Sequence, residues 1–258
     1  MKKYIKDLVV KENLPLNQQY FILKLTSADE LPPMEPGQFA QLRVDNTSGT
    51  FLRRPISINW VDYETNEMWL LIQKVGNGTR KLSELKRGDT LNLVFPLGNT
   101  FMLPENKQAE VLLVGGGVGI APLLMFGQKL RNQGYKCRFL LGARTKSDLL
   151  ELDEFARYGE VFTTTEDGSN GEKGFVTHHS LLKRSNFDYL YTCGPTPMMK
   201  AVAAYAVKKN IFCEVSLENM MGCGFGACLC CVTDTIEGNI CVCTEGPVFN
   251  ITKLKWQI

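Results

Sequence analysis

Apolar positions follow two different patterns along this chain, and the change falls near residue 109. Before it, short apolar or alternating stretches recur at residues 20–25, 38–44, 54–58, 68–74 and 90–95. Turn-forming residues separate them: Pro32-Pro33, Pro36-Gly37, Gly76-Asn77-Gly78 and Gly88-Asp89. Many short strands with regular turns predict a β-barrel or sandwich. One helix, over 79–85, interrupts them, with Thr79 placed to cap its N-terminus.

From 110 to 114 the run Glu-Val-Leu-Leu-Val lacks alternation, as expected of a strand buried on both faces of a parallel sheet. Strands at 137–141, 161–164, 189–192 and 212–216 then alternate with helices at 123–132, 149–155, 179–183 and 198–208. That alternation predicts an α/β domain with a parallel sheet covered by helices on both faces.

Composition narrows the class. The 258 residues carry 29 basic and 27 acidic side chains, without a basic run, which speaks against nucleic acid. The apolar runs are too short to span a membrane. The start, Met1-Lys-Lys-Tyr-Ile-Lys-Asp, has no apolar export core, so a cytoplasmic protein with reduced thiols is expected.

The most informative stretch begins Met220-Met-Gly-Cys223-Gly-Phe-Gly-Ala-Cys228-Leu-Cys230-Cys231 and continues to Cys241 and Cys243. Six of the nine cysteines lie in 223–243. Cys223, Cys228 and Cys231 read C-x4-C-x2-C, the plant-type spacing for a [2Fe–2S] cluster closed by a later cysteine. Gly222, Gly224 and Gly226 let backbone wrap round the sulfurs and direct N–H groups at them. A zinc site more often shows two C-x2-C pairs. A disulfide framework fits neither the odd count nor the compartment. Cys137 and Cys213, in apolar runs, read as buried structural thiols. Cys230 points away if Cys231 ligates. Cys241 and Cys243 lie two apart, on one side of a strand, and spacing does not choose between them. The same loop carries Met220, Met221, Phe225 and Leu229, an apolar density expected of a docking face.

Four further motifs carry chemistry. The loop 115–122, Gly-Gly-Gly-Val-Gly-Ile-Ala-Pro, joins a strand to a helix, where backbone approaches a pyrophosphate. No Gly-Lys-Ser/Thr follows, so it is not a P-loop. Cys193-Gly-Pro195 ends another strand at the same sheet edge. Arg54-Pro55-Ile56-Ser57 offers a phosphate clamp and a hydroxyl. Gly76-Asn-Gly78-Thr79 offers N–H groups to a second phosphate. His178 and His179 have no third ligand in view and read as a surface pair at a helix start.

In their order, Arg54-Pro-Ile-Ser57, Gly78-Thr79, Pro96-Leu-Gly98, Gly116-Gly-Val-Gly119 and Cys193-Gly-Pro195 resemble the ferredoxin–NADP reductase superfamily. Ile56 departs from it, standing where an aromatic is common. With the cysteine segment and Gly246-Pro-Val-Phe249, the chain resembles more narrowly the electron transfer subunits of dihydroorotate dehydrogenase B. That resemblance covers nearly the whole chain. It implies an FAD-binding β-barrel at 1–103, an NAD-binding α/β domain at 104–217 and a [2Fe–2S] segment at 218–258. It favours Cys243 as fourth ligand. It places FAD on Arg54, Pro55, Ile56, Ser57, Ile72, Gln73, Lys74, Gly78 and Thr79. NAD falls on Gly116, Gly117 and Gly119, with Cys193 beside nicotinamide and flavin. It implies a cytoplasmic partner, an FMN-containing dihydroorotate dehydrogenase catalytic subunit, in a heterotetramer of two of each. Electrons would pass from that FMN through the cluster and FAD to NAD+, in pyrimidine biosynthesis. No acid/base constellation for dihydroorotate oxidation is evident in this chain.

Two other readings differ at nameable points. The flavin subunit of NADH-dependent ferredoxin:NADP oxidoreductase or sulfide dehydrogenase usually has aspartate at the first cluster cysteine, where this chain has Cys223. A redox sensor on a degenerate reductase scaffold would not need the Arg54–Ser57 and 116–122 motifs intact.

Overall fold

The computed structural model describes residues 2–45, 47 and 49–256. The chain forms two compact units. One comprises Met1–Thr100, Glu218–Thr233 and Asn239–Pro247; the other comprises Phe101–Leu217, Asp234–Gly238 and Val248–Ile258. The cysteine stretch, read as one appended segment, thus contributes to both.

The first unit is built on β1 (Tyr4–Pro15), β2 (Tyr20–Thr26), β3 (Phe39–Leu42), β4 (Arg54–Ser57), β5 (Trp60–Asp62), β6 (Glu67–Gln73), a short helix α1 (Asn77–Leu82) and β7 (Thr90–Leu97). The strands form one antiparallel sheet in the order β4-β3-β7-β1-β2-β6-β5. Its edges, β4 and β5, do not pair with each other, so this is a curled sheet rather than a barrel sealed by hydrogen bonds. The inner face buries Leu8, Val10, Leu23, Leu25, Leu42, Met68, Leu70 and Leu93. Each such side chain contributes about 1.5–3 kcal/mol by leaving water.

The second unit takes β8 (Val111–Gly116), α2 (Ala121–Asn132), β9 (Cys137–Ala143), α3 (Leu152–Ala156), β10 (Glu160–Thr165), β11 (Glu172–Lys173), α4 (Leu181–Arg184), β12 (Tyr189–Cys193), α5 (Thr196–Lys209) and β13 (Phe212–Ser216). The chain then forms a hairpin, β14 (Val232–Thr235) and β15 (Gly238–Cys241), a turn of helix α6 (Val242–Glu245), and β16 (Val248–Asn250). The second sheet runs β11-β10-β9-β8-β12-β13-β16, parallel except for β16. From β8 the chain first builds outward through β9 and β10, then returns to place β12 on the other side. The β8/β12 junction is therefore the switch point, where open α/β sheets bind ligands. Behind it, Phe101, Phe126 and Tyr191 pack with centroids 4.7–5.8 Å apart.

Two local expectations fail. Thr79 is not the cap of α1: Gly76 is, and Thr79 is buried one turn in, its Oγ1 accepting N–H bonds from Val75 and Gly76 at 3.0 and 3.2 Å. His179 is not on the surface: it is buried against Phe162, its Nδ1 accepts the Leu181 N–H at 3.0 Å, and burial lowers its pKa. His178 is exposed, as expected.

Candidate functional site

Residues 218–231 form a loop without helix or strand. Its backbone is turned by left-handed residues at Gly224 (φ 82°), Gly226 (φ 90°) and Leu229 (φ 54°), and these turns aim N–H groups inward. The Cys223 N–H points at Cys228 Sγ (3.3 Å), and the Phe225 N–H at Cys223 Sγ (3.4 Å). The Cys243 N–H points at Cys231 Sγ (3.4 Å), and the Gly226 N–H reaches the Cys243 thiol. The sulfurs thus come as two pairs, Cys223 with Cys228 and Cys231 with Cys243. Among the described residues no three His, Cys, Asp or Glu side chains converge on a single-ion site. Two cysteine pairs fit a two-iron cluster, in which each iron takes two protein thiolates.

Burial works against ionising Cys223, but N–H groups of Phe225, Cys228 and Ala227, with the Cys228 thiol, bring its pKa down to about 6. Cys243 is pushed up to about 12, first by burial and then by the Cys231 thiol. Cys241 also reaches Cys231, but it is only half-buried, whereas Cys243 is 1% exposed. Cys230 is exposed, as its neighbour's inward turn requires. Cys137 and Cys213 are buried, and none of the nine cysteines forms a disulfide.

Gly246-Pro-Val-Phe249 anchors the end of the loop. The Gly246 carbonyl accepts the Asn99 N–H at 2.7 Å, and a Cβ on Gly98 would lie 2.5 Å from Pro247 Cδ. The Pro96-Leu-Gly98 turn is thus a seat for the segment that carries Cys243.

Elsewhere in this unit, Arg54 and the 76–79 turn come together. A Cβ on Gly78 would lie 3.1 Å from Arg54 Cδ, so the arginine stem crosses the start of α1. Its guanidinium is held by the carbonyls of Leu52 (2.9 Å) and Arg53 (3.1 Å). Pro55, Ile56 and Ser57 on β4 are each half-buried. Thr79 contributes by shaping the turn, since its hydroxyl is occupied there. Ile72 is fully buried, so it offers a cofactor only backbone, while Gln73 is half-buried. Lys74 Nζ lies over the Phe21 ring at 5.9 Å. β6 pairs with β2 along its whole length but with β5 only from Glu67 to Trp69, so β5 does not cover the other edge at 70–73.

In the second unit, Gly115 pairs with Cys193 across the switch point. The glycine loop is a 3-10 turn, Gly117–Ile120, with Gly117 at φ 55° and Pro122 inside the start of α2. A Cβ on Gly119 would fall 2.4 Å from Gly194 Cα, and one on Gly116 would fall 2.5 Å from Met198 Sδ. The two loops approach each other through backbone, so packing requires glycine at 119. Cys193 is buried, 1% exposed, at the end of β12.

Sequence reasoning missed Gln41 on β3. Both polar atoms of its side chain are buried without a partner, and it lies directly beneath Gly224. Strand alternation gives no warning of this, because what covers Gln41 comes from the far end of the chain.

No helix among the described residues is long and apolar enough to cross a membrane. Comparison with known proteins identifies the chain. Residues 218–255 match the iron–sulfur cluster binding domain of dihydroorotate dehydrogenase B, and residues 113–204 match the oxidoreductase NAD-binding domain. The electron transfer subunit of dihydroorotate dehydrogenase B (NAD(+)) of Caldanaerobacter subterraneus is 44% identical over 218 residues, 83% of this chain and 84% of that one. The same subunit of Shouchella clausii is 40% identical over 222 residues, 84% and 85% of the two chains. Among solved structures, one described for NADH-dependent reduced ferredoxin-NADP oxidoreductase and flavin-based electron bifurcation superposes with a TM-score of 0.87 at 31% identity, covering 96% of this chain and 90% of that one. An Amycolatopsis cytochrome P450 reductase shares the fold, with a TM-score of 0.70 at 23% identity. With its paired cysteines and its interlocked glycine loops, the chain belongs to the family of electron transfer subunits of NAD(+)-dependent dihydroorotate dehydrogenase B.

Proposed function

We propose that this protein carries electrons between a dihydroorotate dehydrogenase catalytic subunit that holds FMN and NAD+, using one [2Fe–2S] cluster and one FAD of its own. The observation that carries this reading is the pairing of Cys223 with Cys228 and of Cys231 with Cys243 in a loop whose N–H groups face the sulfurs. When bound, nicotinamide supplies two-electron hydride exchange, the cluster supplies single electrons, and flavin converts one into the other.

The chain's residues divide the work. Cys223, Cys228, Cys231 and Cys243 hold the cluster, and the N–H donors of 223–228 stabilise its thiolates. Arg54 clamps FAD phosphate, while Pro55, Ile56 and Ser57 and the edge of Ile72, Gln73 and Lys74 flank its ring system. Gly78 keeps the α1 turn open to a phosphate, and Thr79 fixes that turn. Gly116, Gly117 and Gly119 bring backbone close enough for NAD pyrophosphate, with Cys193 beside the nicotinamide. The division into 1–103, 104–217 and 218–258 follows these roles. The setting is cytoplasmic and the complex a heterotetramer of two of each subunit.

The test is iron, sulfide and flavin per chain, with visible spectra before and after NADH. About one FAD and two irons, both reduced by NADH, are expected; zinc in place of iron overturns the reading.

The likeness to the ferredoxin-NADP oxidoreductase structure favours a second reading, electron exchange with ferredoxin. Cys223 and the match of the whole segment 218–255 favour the first. The nucleotide is a further check. Arg144 is exposed just beyond β9, where a 2′-phosphate is read in such folds. We nevertheless expect kcat/KM for NADH to exceed that for NADPH in dye reduction, and a clear NADPH preference refutes this.

The partner-facing surface is proposed at the loop itself. Met220 (86% exposed), Phe225 (51%) and Leu229 (67%) project from it, while Met221, expected beside them, is buried. Exposed apolar groups in such density mark an interface. Phe225→Asp is expected to weaken association with the FMN subunit at least tenfold, with iron and flavin retained. Unchanged complex formation by size-exclusion chromatography rejects this face.

A further inference from the structure

We propose that Gln41 tunes the iron–sulfur centre by donating a hydrogen bond from its side-chain amide to a sulfur of the cluster. The inference rests on the reading of 223–243 as a cluster site, and it deepens that reading.

Gln38, just before β3, and Gln41, on it, are both fully buried. Gln38 is satisfied: its Nε2 donates to the Gly98 carbonyl at 3.2 Å, and its Oε1 accepts the Glu35 N–H at 2.8 Å. Gln41 is not: neither Nε2 nor Oε1 has a partner, although its own backbone carbonyl accepts from Arg53. An amide so buried is costly unless something answers it.

Among the described residues, Gly224 is packed against this amide. A Cβ on Gly224 would lie 2.7 Å from Gln41 Cγ and 3.2 Å from its Nε2, with Leu97 Cδ1 at 3.0 Å on the other side. The amide therefore presses against the backbone directly after Cys223, and residue 224 must be glycine to admit it. The loop above it is the one whose N–H groups face sulfur. A sulfide or thiolate sulfur accepts and does not donate, so it selects the NH2 end of the amide. Hydrogen bonds to the sulfurs stabilise the more negative, reduced cluster and raise its potential. Gln41 adds such a bond from a rigid strand, independent of the loop's own backbone.

The test uses the holoprotein with Gln41→Leu, Gln41→Met and Gln41→Glu. Iron content and the reduced-cluster EPR signal of the wild type check the cluster reading separately. If Gln41 donates, the reduced-to-oxidised ratio of the cluster at a fixed potential falls about tenfold in Leu and Met, or about 59 mV for a one-electron couple. It falls further in Glu at a pH above that buried carboxyl's raised pKa, where a carboxylate faces the sulfur. In wild type labelled with 15N on the glutamine side-chain amides, pulsed EPR of the reduced cluster should show a nitrogen coupling. Should the Leu and Met variants lose iron, this wild-type measurement still decides. An unshifted cluster potential, a shift in the flavin potential alone, or absence of the nitrogen coupling each overturns the proposal.

Discussion

Serine at Cys223, Cys228, Cys231 or Cys243 should leave the purified protein with little iron, while serine at Cys230 or Cys241 should leave iron near two per chain. The first four sulfurs form two facing pairs with N–H donors directed at them, and serine cannot replace thiolate toward iron without weakening the site. The decisive comparison is Cys241→Ser against Cys243→Ser. Cys243 is buried on α6 and receives the Gly226 N–H, whereas Cys241 is half-exposed at the end of β15. Metal analysis, with FAD content as the control for folding of the same unit, checks this. Iron lost with Cys241→Ser and kept with Cys243→Ser would reverse the ligand assignment.

Gly119→Val should severely damage the second unit. Its Cβ would meet three consecutive backbone atoms of the loop after β12, at 2.4 and 2.5 Å from Gly194 and 2.7 Å from Cys193. Backbone cannot rotate away as a side chain does, so the loops after β8 and β12 must separate. We expect a loss of about 3 kcal/mol or more in the stability of this unit, in line with severe overpacking. NADH-dependent dye reduction should fall at least a hundredfold, with iron and FAD retained on the other unit. Gly119→Ala should act in the same direction, because the clash begins at Cβ. Thermal unfolding and steady-state rates measure both. Wild-type activity in Gly119→Val would show that the loops are looser than their contacts imply.

The sequence made different parts of this protein legible for different physical reasons. The unbroken apolar run into β8 and the β–α alternation after it announced a parallel sheet, because a strand covered on both faces needs no polar side. The cysteine spacing announced a cluster because ligand geometry fixes the spacing. The apolar pattern gives no sign of β1, the longest strand among the described residues. Lys6, Asp7, Lys11 and Glu12 break up its apolar content, only Leu8 and Val10 are buried, and an irregularity between Val10 and Glu12 spoils the alternation. Thr79 read as a cap because threonine prefers that position, yet its hydroxyl closes the turn from inside the helix. His179 read as surface because nothing local signals that Phe162, on β10, covers it. Gln41 is the clearest case. Its burial depends on Gly224, at the other end of the chain, and only the folded structure brings the two together.

On the proposed function, this chain links dihydroorotate oxidation on a partner to NAD+. The most direct measurement is NADH formation from dihydroorotate and NAD+ by the purified holoprotein mixed with an FMN-containing dihydroorotate dehydrogenase catalytic subunit. NADH is expected only when both proteins are present, and not when Cys228→Ser replaces the native chain. No NADH from the mixture, although the chain holds iron and FAD and oxidises NADH with a dye, would contradict the claim.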